Sequence, residues 1–147
     1  MTSGILCNDI HSKLNPTRVA RVVCPKSTED VALRVRETAA DGGFISICGA
    51  RHAMGGQQFG EGTLLLDCSR LDQIGAVDPV RGWVELGAGV KWRELIEALH
   101  SQQTGCIPLW TIRQKQTGAD SLTLGGSLAA NAHGRGLQMR PIIDDVE

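Results

Sequence analysis

Residues 44–59, Phe-Ile-Ser-Ile-Cys-Gly-Ala-Arg-His-Ala-Met-Gly-Gly-Gln-Gln-Phe, decide how the rest of the chain is read. The apolar run Phe44 to Cys48 predicts a buried strand. It stops at Gly49, and a polar loop follows with His52 in its middle and the pair Gly55-Gly56 beyond. A loop of this composition lets successive backbone N–H groups turn toward one point and form an anion-binding nest. Glycine matters there because a side chain would hold a ligand off those donors or forbid the backbone angles they need. Arg51 adds a fixed positive charge that suits a phosphate, and the same residue would serve equally as a solvated loop charge.

Upstream, Arg18 to Cys24 predicts another strand, stopped by Pro25. Ser27 can cap the helix that follows, with Asp30 three residues on. Val31, Val35 and Ala39 space like one buried helical face, and Asp41-Gly42-Gly43 supplies a glycine stop. Strand, helix and strand make a βαβ unit with parallel strands. The loop then lies at the carboxyl end of a strand in an α/β layer, where such folds hold ligands.

Downstream, Thr63 to Cys68 is a further strand, and Ile74–Asp78 and Trp83–Leu86 flank Pro79-Val80-Arg81-Gly82 as a hairpin. Gly87-Ala88-Gly89 leads into a helix whose stripe of Trp92, Leu95, Ile96 and Leu99 ends at Gly105. Trp92 stands where a dinucleotide fingerprint needs its third glycine, so that motif is not met, and Trp92 is expected in the core. There is no Walker loop, no H-E-x-x-H and no metal-ligand spacing, so no metal site is expected.

A length of 147 residues suits one domain, and 41% hydrophobic with 21% charged residues is a soluble globular composition. A net charge of −1 and an aromatic content of 3% leave no basic or stacking footprint for nucleic acid. The first fifteen residues, interrupted by Asn8, Asp9, His11 and Lys13, read as a polar lead that is neither signal peptide nor membrane span. The cysteines (Cys7, Cys24, Cys48, Cys68, Cys106) are odd in number and form no C-x-x-C pair, which favours reduced thiols and a cytoplasmic setting. Cys48 and Cys68 are expected as small core residues, and His11 and His100 as solvated.

Residues 120–136, Asp-Ser-Leu-Thr-Leu-Gly-Gly-Ser-Leu-Ala-Ala-Asn-Ala-His-Gly-Arg-Gly, form the second informative stretch. Gly125-Gly126 and the small residues after them permit close approach of backbone to a ligand or a neighbouring element. Thr123, Ser127 and Asn131 can supply hydrogen bonds, and His133-Gly134 closes the run.

Gly49 to Gln57, a strand followed by Gly-x-x-His-x-x-Gly-Gly-Gln, and Leu122 to Gly134, Leu-Thr-x-Gly-Gly-x-Leu-x-x-Asn-x-His-Gly, together resemble the FAD-binding domain of the vanillyl-alcohol oxidase and p-cresol methylhydroxylase (PCMH) flavoproteins. Pro25-Lys-Ser-Thr-Glu-Asp-Val and Val84-Glu-Leu-Gly-Ala-Gly-Val resemble it too, so the match spans residues 16–147 and leaves 1–15 as the lead. The resemblance implies an α+β, PCMH-type fold: a small parallel βαβ subdomain in an α/β layer, packed against a second, mixed-sheet subdomain, with FAD between them. It implies that Gly49, the backbone N–H groups of Ala50, Arg51, His52, Ala53 and Met54, and Gln57 hold the pyrophosphate. It implies that Thr123, Gly125, Gly126, Ser127, Asn131, His133 and Gly134 line the flavin from the other side.

By the same resemblance His52 is the candidate for a covalent bond from a ring nitrogen to the flavin 8α-methyl, with a non-covalent contact as the alternative. His133 is expected to contact flavin or support the fold rather than act as a base. Family enzymes are several-fold longer, so the chain is expected to be the amino-terminal part of a FAD-dependent oxidoreductase. The substrate domain, the catalytic acid or base and the small-molecule substrate would belong to the remainder, and this part alone would be inactive. The implied reaction moves a hydride from a C–H beside an alcohol or amine to the flavin, with an oxidase and a dehydrogenase both open. Neither nucleic acid nor membrane is expected as a partner. A flavin-free interaction module and a reductase sharing the same FAD domain stand as alternatives.

Overall fold

The structure is a computed structural model and describes residues 4–132. Two compact units follow one another along the chain, with the boundary at Leu71 and Asp72. The chain is α+β, with one parallel and one antiparallel sheet.

In the first unit the elements are β1 (Ile5–Cys7), β2 (Thr17–Val19), β3 (Arg21–Val23), α1 (Thr28–Ala40), β4 (Ile45–Cys48) and β5 (Leu64–Asp67). β5 is the centre of a three-stranded sheet, parallel to β3 on one side and to β4 on the other, with Arg21 and Ile45 both opposite Leu64. A strand paired on both edges and covered on both faces reads as an unbroken apolar run, and Leu64, Leu65 and Leu66 are all buried. The β3-α1-β4 crossover is the expected βαβ unit, with β5 inserted between its strands.

The strand expected over Arg18–Cys24 is two strands instead. Thr17–Val19 pairs antiparallel with β1, while Arg21–Val23 pairs parallel with β5. Ala20 is the joint, and its N–H donates to the carbonyl of Thr63 at 2.8 Å. Hydrophobic patterning carries no record of which partner a strand takes, so the change of sheet was invisible in it. The lead contributes β1 itself, and Cys7 packs with Val19, Cys48 and Leu65 in one buried cluster.

Ser27 caps α1, its hydroxyl accepting from the Asp30 N–H at 3.2 Å. Gly42, at φ 66°, ends it, and the Gly43 N–H donates to the carbonyl of Thr38 at 2.8 Å. The buried face differs from Val31-Val35-Ala39. Thr38 is the buried residue and Val31 is half-buried, two turns apart on one face, whereas Val35 and Ala39 are exposed. Half-buried Arg34 lies between them, paired with Asp30 at 3.3 Å and Glu37 at 3.0 Å.

The second unit contains α2 (Trp92–Gln102) and the short α3 (Leu124–Ala129). Val90, Trp92, Leu95 and Ala119 are the buried centre, so the predicted stripe of α2 faces the core with Trp92 leading it. The hairpin forms through antiparallel bridges Ile74–Leu86 and Asp78–Trp83. Asp78 shapes its turn by accepting from the N–H groups of Val80 and Arg81, and Gly82 closes it at φ 72°. Among the described residues of this unit, sheet pairing consists of such bridges, a third joining Lys91 to Thr123.

Candidate functional site

The loop after β4 leaves from Cys48, whose thiol is buried beneath it. Burial first, and the Asp67 carboxylate second, push that thiol up to about 11, so it stays protonated and inert. Arg51 takes the left-handed backbone region at φ 58°, which few residues other than glycine adopt without support. Its support is visible. The guanidinium bonds Asp67 at 2.7 Å, and the Arg51 carbonyl accepts from the Ile10 N–H at 3.1 Å.

Burial pushes the Asp67 carboxyl up, but Ser69 and Arg51 bond its charged form and hold it below the usual carboxylate range. The Arg51 charge is therefore committed to the end of β5 rather than held out for a phosphate. What the loop offers an anion is backbone. Among the described residues, the N–H groups of Ala50, Arg51, Ala53 and Met54 meet no backbone acceptor. Gly56 sits at φ 73°, and a Cβ there would come within 3.0 Å of the Asn15 Cβ. At Gly55 the atoms nearest a Cβ would be the end of the Gln57 side chain, at 2.9 Å.

Residues 8–15, part of the polar lead, bond to this loop. Asp9 is 2% exposed. Its carboxylate accepts from the N–H groups of His11, Ser12 and Lys13 at 2.8, 2.6 and 3.1 Å. Burial raises the carboxyl, yet the Ser12 hydroxyl and these three N–H groups outweigh it and leave it below its ordinary value. From this folded hub the Ser12 hydroxyl, shared with Asp9, lies 3.1 Å from the Met54 carbonyl, and the Asn15 amide donates to that carbonyl at 2.9 Å.

His11 is exposed, as expected, yet it has a partner. Its Nε2 lies 2.8 Å from Nδ1 of His52, and the two rings sit 4.9 Å apart at 52°. Nothing in local spacing announced a partner 41 positions away.

In the second unit, Thr123 caps α3 and is buried, its hydroxyl accepting from the Gly126 N–H at 3.3 Å. Ser127 is buried beside it. Its hydroxyl donates to the Thr123 carbonyl at 3.0 Å and accepts from the indole N–H of Trp92 at 3.0 Å. A Cβ on Gly125 would stand 2.8 Å from the Ala88 Cβ and 2.9 Å from its carbonyl oxygen, and one on Gly126 would stand 2.8 Å from the Thr123 hydroxyl. The close approach foreseen at these glycines is thus made to Ala88 and to Thr123 itself. Asn131 follows in the left-handed region at φ 45°, while His133 and Gly134 lie outside the described residues.

Two open clefts, about 460 and 300 Å³, occur in the second unit beside Gln102 and Cys106 and beside Leu99 and Trp110. None of the residues singled out above for a cofactor lines either one. Among the described residues no helix is long and apolar enough to cross a membrane, and no cluster of three metal-ligating side chains occurs. All five cysteines are free thiols.

A sequence model of the FAD binding domain matches residues 19–147. An uncharacterized oxidoreductase, ORF5 in the fasciation locus of Rhodococcoides fascians, is 33% identical over 118 residues, which are 80% of this chain and 26% of that protein. The chain therefore spans about a quarter of its curated relative. An alkyldihydroxyacetonephosphate synthase superposes with a TM-score of 0.64 at 23% identity, over 75% of this chain and 22% of that one. Cholesterol oxidase from B. sterolicum superposes with a TM-score of 0.61 at 21% identity, over 89% of this chain and 25% of that one. The two superpositions are likenesses of fold.

Proposed function

The chain belongs to the FAD binding domain family, and we propose that it binds FAD as part of a longer flavin-dependent oxidoreductase. The observation that carries this reading is the loop after β4, where, among the described residues, the N–H groups of Ala50, Arg51, Ala53 and Met54 meet no backbone acceptor and Arg51 and Gly56 take left-handed backbone angles. Donors arranged in this way suit a diphosphate.

In this reading the N–H groups of Ala50 to Met54 hold the diphosphate, with Gly49 and Gln57 at the ends of the turn. Arg51 serves through its backbone, because its guanidinium braces the loop on Asp67. His52 orients the flavin and is its candidate covalent anchor. Asn131, His133 and Gly134 are flavin contacts in this reading, as are Thr123, Gly125, Gly126 and Ser127, of which Thr123 caps α3. FAD, when bound, supplies a two-electron acceptor for a hydride from a C–H beside an alcohol or amine. The substrate pocket and the group that handles the substrate proton belong to the remaining length of the protein, and the five free thiols favour a reducing cytoplasm.

One of the fold neighbours carries the name of a synthase, so fold does not decide for oxidation. The 33% identical relative carries the name of an oxidoreductase, and that favours it. Titration of the purified chain with FAD, read as quenching of flavin fluorescence, tests the binding. Saturable uptake supports it, and a protein that takes up no FAD overturns it. Acid precipitation then separates the two forms of attachment: flavin that stays with the pellet and is lost in His52→Ala marks His52 as the anchor.

A further inference from the structure

We propose that Asn15 is a positioning residue of the loop after β4: by taking the Met54 carbonyl, it turns the Gly55 N–H away from the lead as a further donor to an anion. The anion meant is the diphosphate of the FAD reading, on which this consequence rests.

The Asn15 amide donates to the Met54 carbonyl at 2.9 Å. The peptide between Met54 and Gly55 is trans, so its C=O and N–H lie in one plane and point in opposite directions. With the carbonyl held on Asn15, the Gly55 N–H faces the other way. That N–H meets no backbone acceptor among the described residues, and Gly55 is exposed. The Ser12 hydroxyl also lies 3.1 Å from the Met54 carbonyl. It carries one proton, however, and has a nearer, charged acceptor in Asp9 at 2.9 Å. Asn15 is therefore the donor that fixes this peptide.

The turn that carries Asn15 is framed to hold it in place. Asp9, 2% exposed, accepts from the N–H groups of His11, Ser12 and Lys13, and the Asn8 amide closes on the Lys13 carbonyl at 2.9 Å. From the same turn the Ile10 N–H takes the Arg51 carbonyl at 3.1 Å, so the loop is gripped by two of its carbonyls from one segment. Gly56 closes the contact, since a Cβ there would stand 3.0 Å from the Asn15 Cβ. A loop held by its carbonyls on one side presents the amides behind them on the other, set before an anion arrives. Residues 9–15 precede the stretch matched by the FAD binding domain model, which begins at residue 19.

The test uses the whole chain labelled with ¹⁵N. In ligand-free wild type the Gly55 N–H is expected to be as ordered as the sheet, with an order parameter of about 0.85. Its resonance is expected to shift when inorganic diphosphate is added. Asn15→Leu keeps the branching of the side chain without its donor. It is expected to drop the Gly55 order parameter below about 0.6 and to weaken both diphosphate and FAD binding roughly tenfold. Asn15→His returns an N–H at the same distance from the backbone and is expected to restore both readings in large part. Should leucine disturb the fold, Asn15→Ala replaces it in the same comparison. A Gly55 resonance that does not move in wild type saturated with diphosphate overturns the proposal. An unchanged order parameter in the donor-free variant overturns it too, as does unchanged diphosphate affinity. Wild type that binds diphosphate but no FAD overturns the proposed function alone, and the comparison is then read with diphosphate. Wild type that binds neither overturns both.

Discussion

The Arg51 guanidinium and the Asp67 carboxylate meet at 2.7 Å across the carboxyl ends of β4 and β5, and through them the loop after β4 is braced on the central strand of the sheet. The pair is partly buried, with 29% and 12% of the two side chains exposed. Asp67→Asn should cost about 2 kcal/mol at pH 7, the worth of a hydrogen bond to a charged group. The Asp67 carboxyl is held below its ordinary value, so its contribution is complete above the unfolded carboxylate pKa of about 3.9 and is lost as pH falls through the lower folded value. Urea denaturation from pH 7 down to pH 2 should show the gap between wild type and variant closing on the acid side. A constant gap would mean that the Asp67 charge contributes nothing.

The two glycines of the loop should respond differently to the same change. Gly56→Ala forces a side chain into the left-handed region and toward the Asn15 Cβ, 3.0 Å away, and should cost about 1–2 kcal/mol. Gly55→Ala comes nearest to the movable end of the Gln57 side chain and should stay within about 0.5 kcal/mol of wild type. Denaturation midpoints decide, and equal losses would contradict the geometry.

Trp92 and Ser127 should behave as a coupled pair. Ser127→Ala leaves the buried indole N–H without its acceptor, at a cost of about 1–3 kcal/mol. In a Trp92→Phe background the same change should cost less, because no indole donor remains to be stranded. A double-mutant cycle with no coupling would show that the bond is not formed in solution.

Gly125→Ala should destabilise the protein by about 1–3 kcal/mol with no FAD present, since the new methyl group overlaps the Ala88 side chain and carbonyl. Larger residues at this position would disturb the unit before any cofactor was involved. Impaired FAD uptake in a Gly125→Val variant is therefore informative only beside its thermal denaturation without FAD. An unchanged melting temperature for Gly125→Ala would reject the overlap.

What could be read from the sequence was what short stretches encode alone. Ser27, Gly42 and the Asp78–Gly82 turn state their geometry within four residues, and the structure has each of them. The leucines of β5 announce a strand because burial on both faces tolerates little else. The Phe44–Cys48 run, expected as a buried strand, forms β4 with Phe44 and Ile47 exposed, because it lies at the edge of the sheet and β5 takes the centre. The Arg51–Asp67 pair and the His11–His52 pair were out of reach, because each joins positions that only the folded sheet makes neighbours. The second glycine pair shows the opposite failure. Its small residues were correctly taken as a close approach, but composition does not say to what, and the neighbours are Ala88 and Thr123.

The antiparallel pairing of Ile5–Cys7 with Thr17–Val19 bears on where a gene may be cut. A clone started at Pro16, where the family-like region opens, would strip one ribbon from its mate and bare Val19, which is wholly covered in the intact chain. It would also release the Arg51 and Met54 carbonyls from Ile10, Ser12 and Asn15. An unstable product from such a clone would report on the missing fifteen residues and say little about the loop after β4.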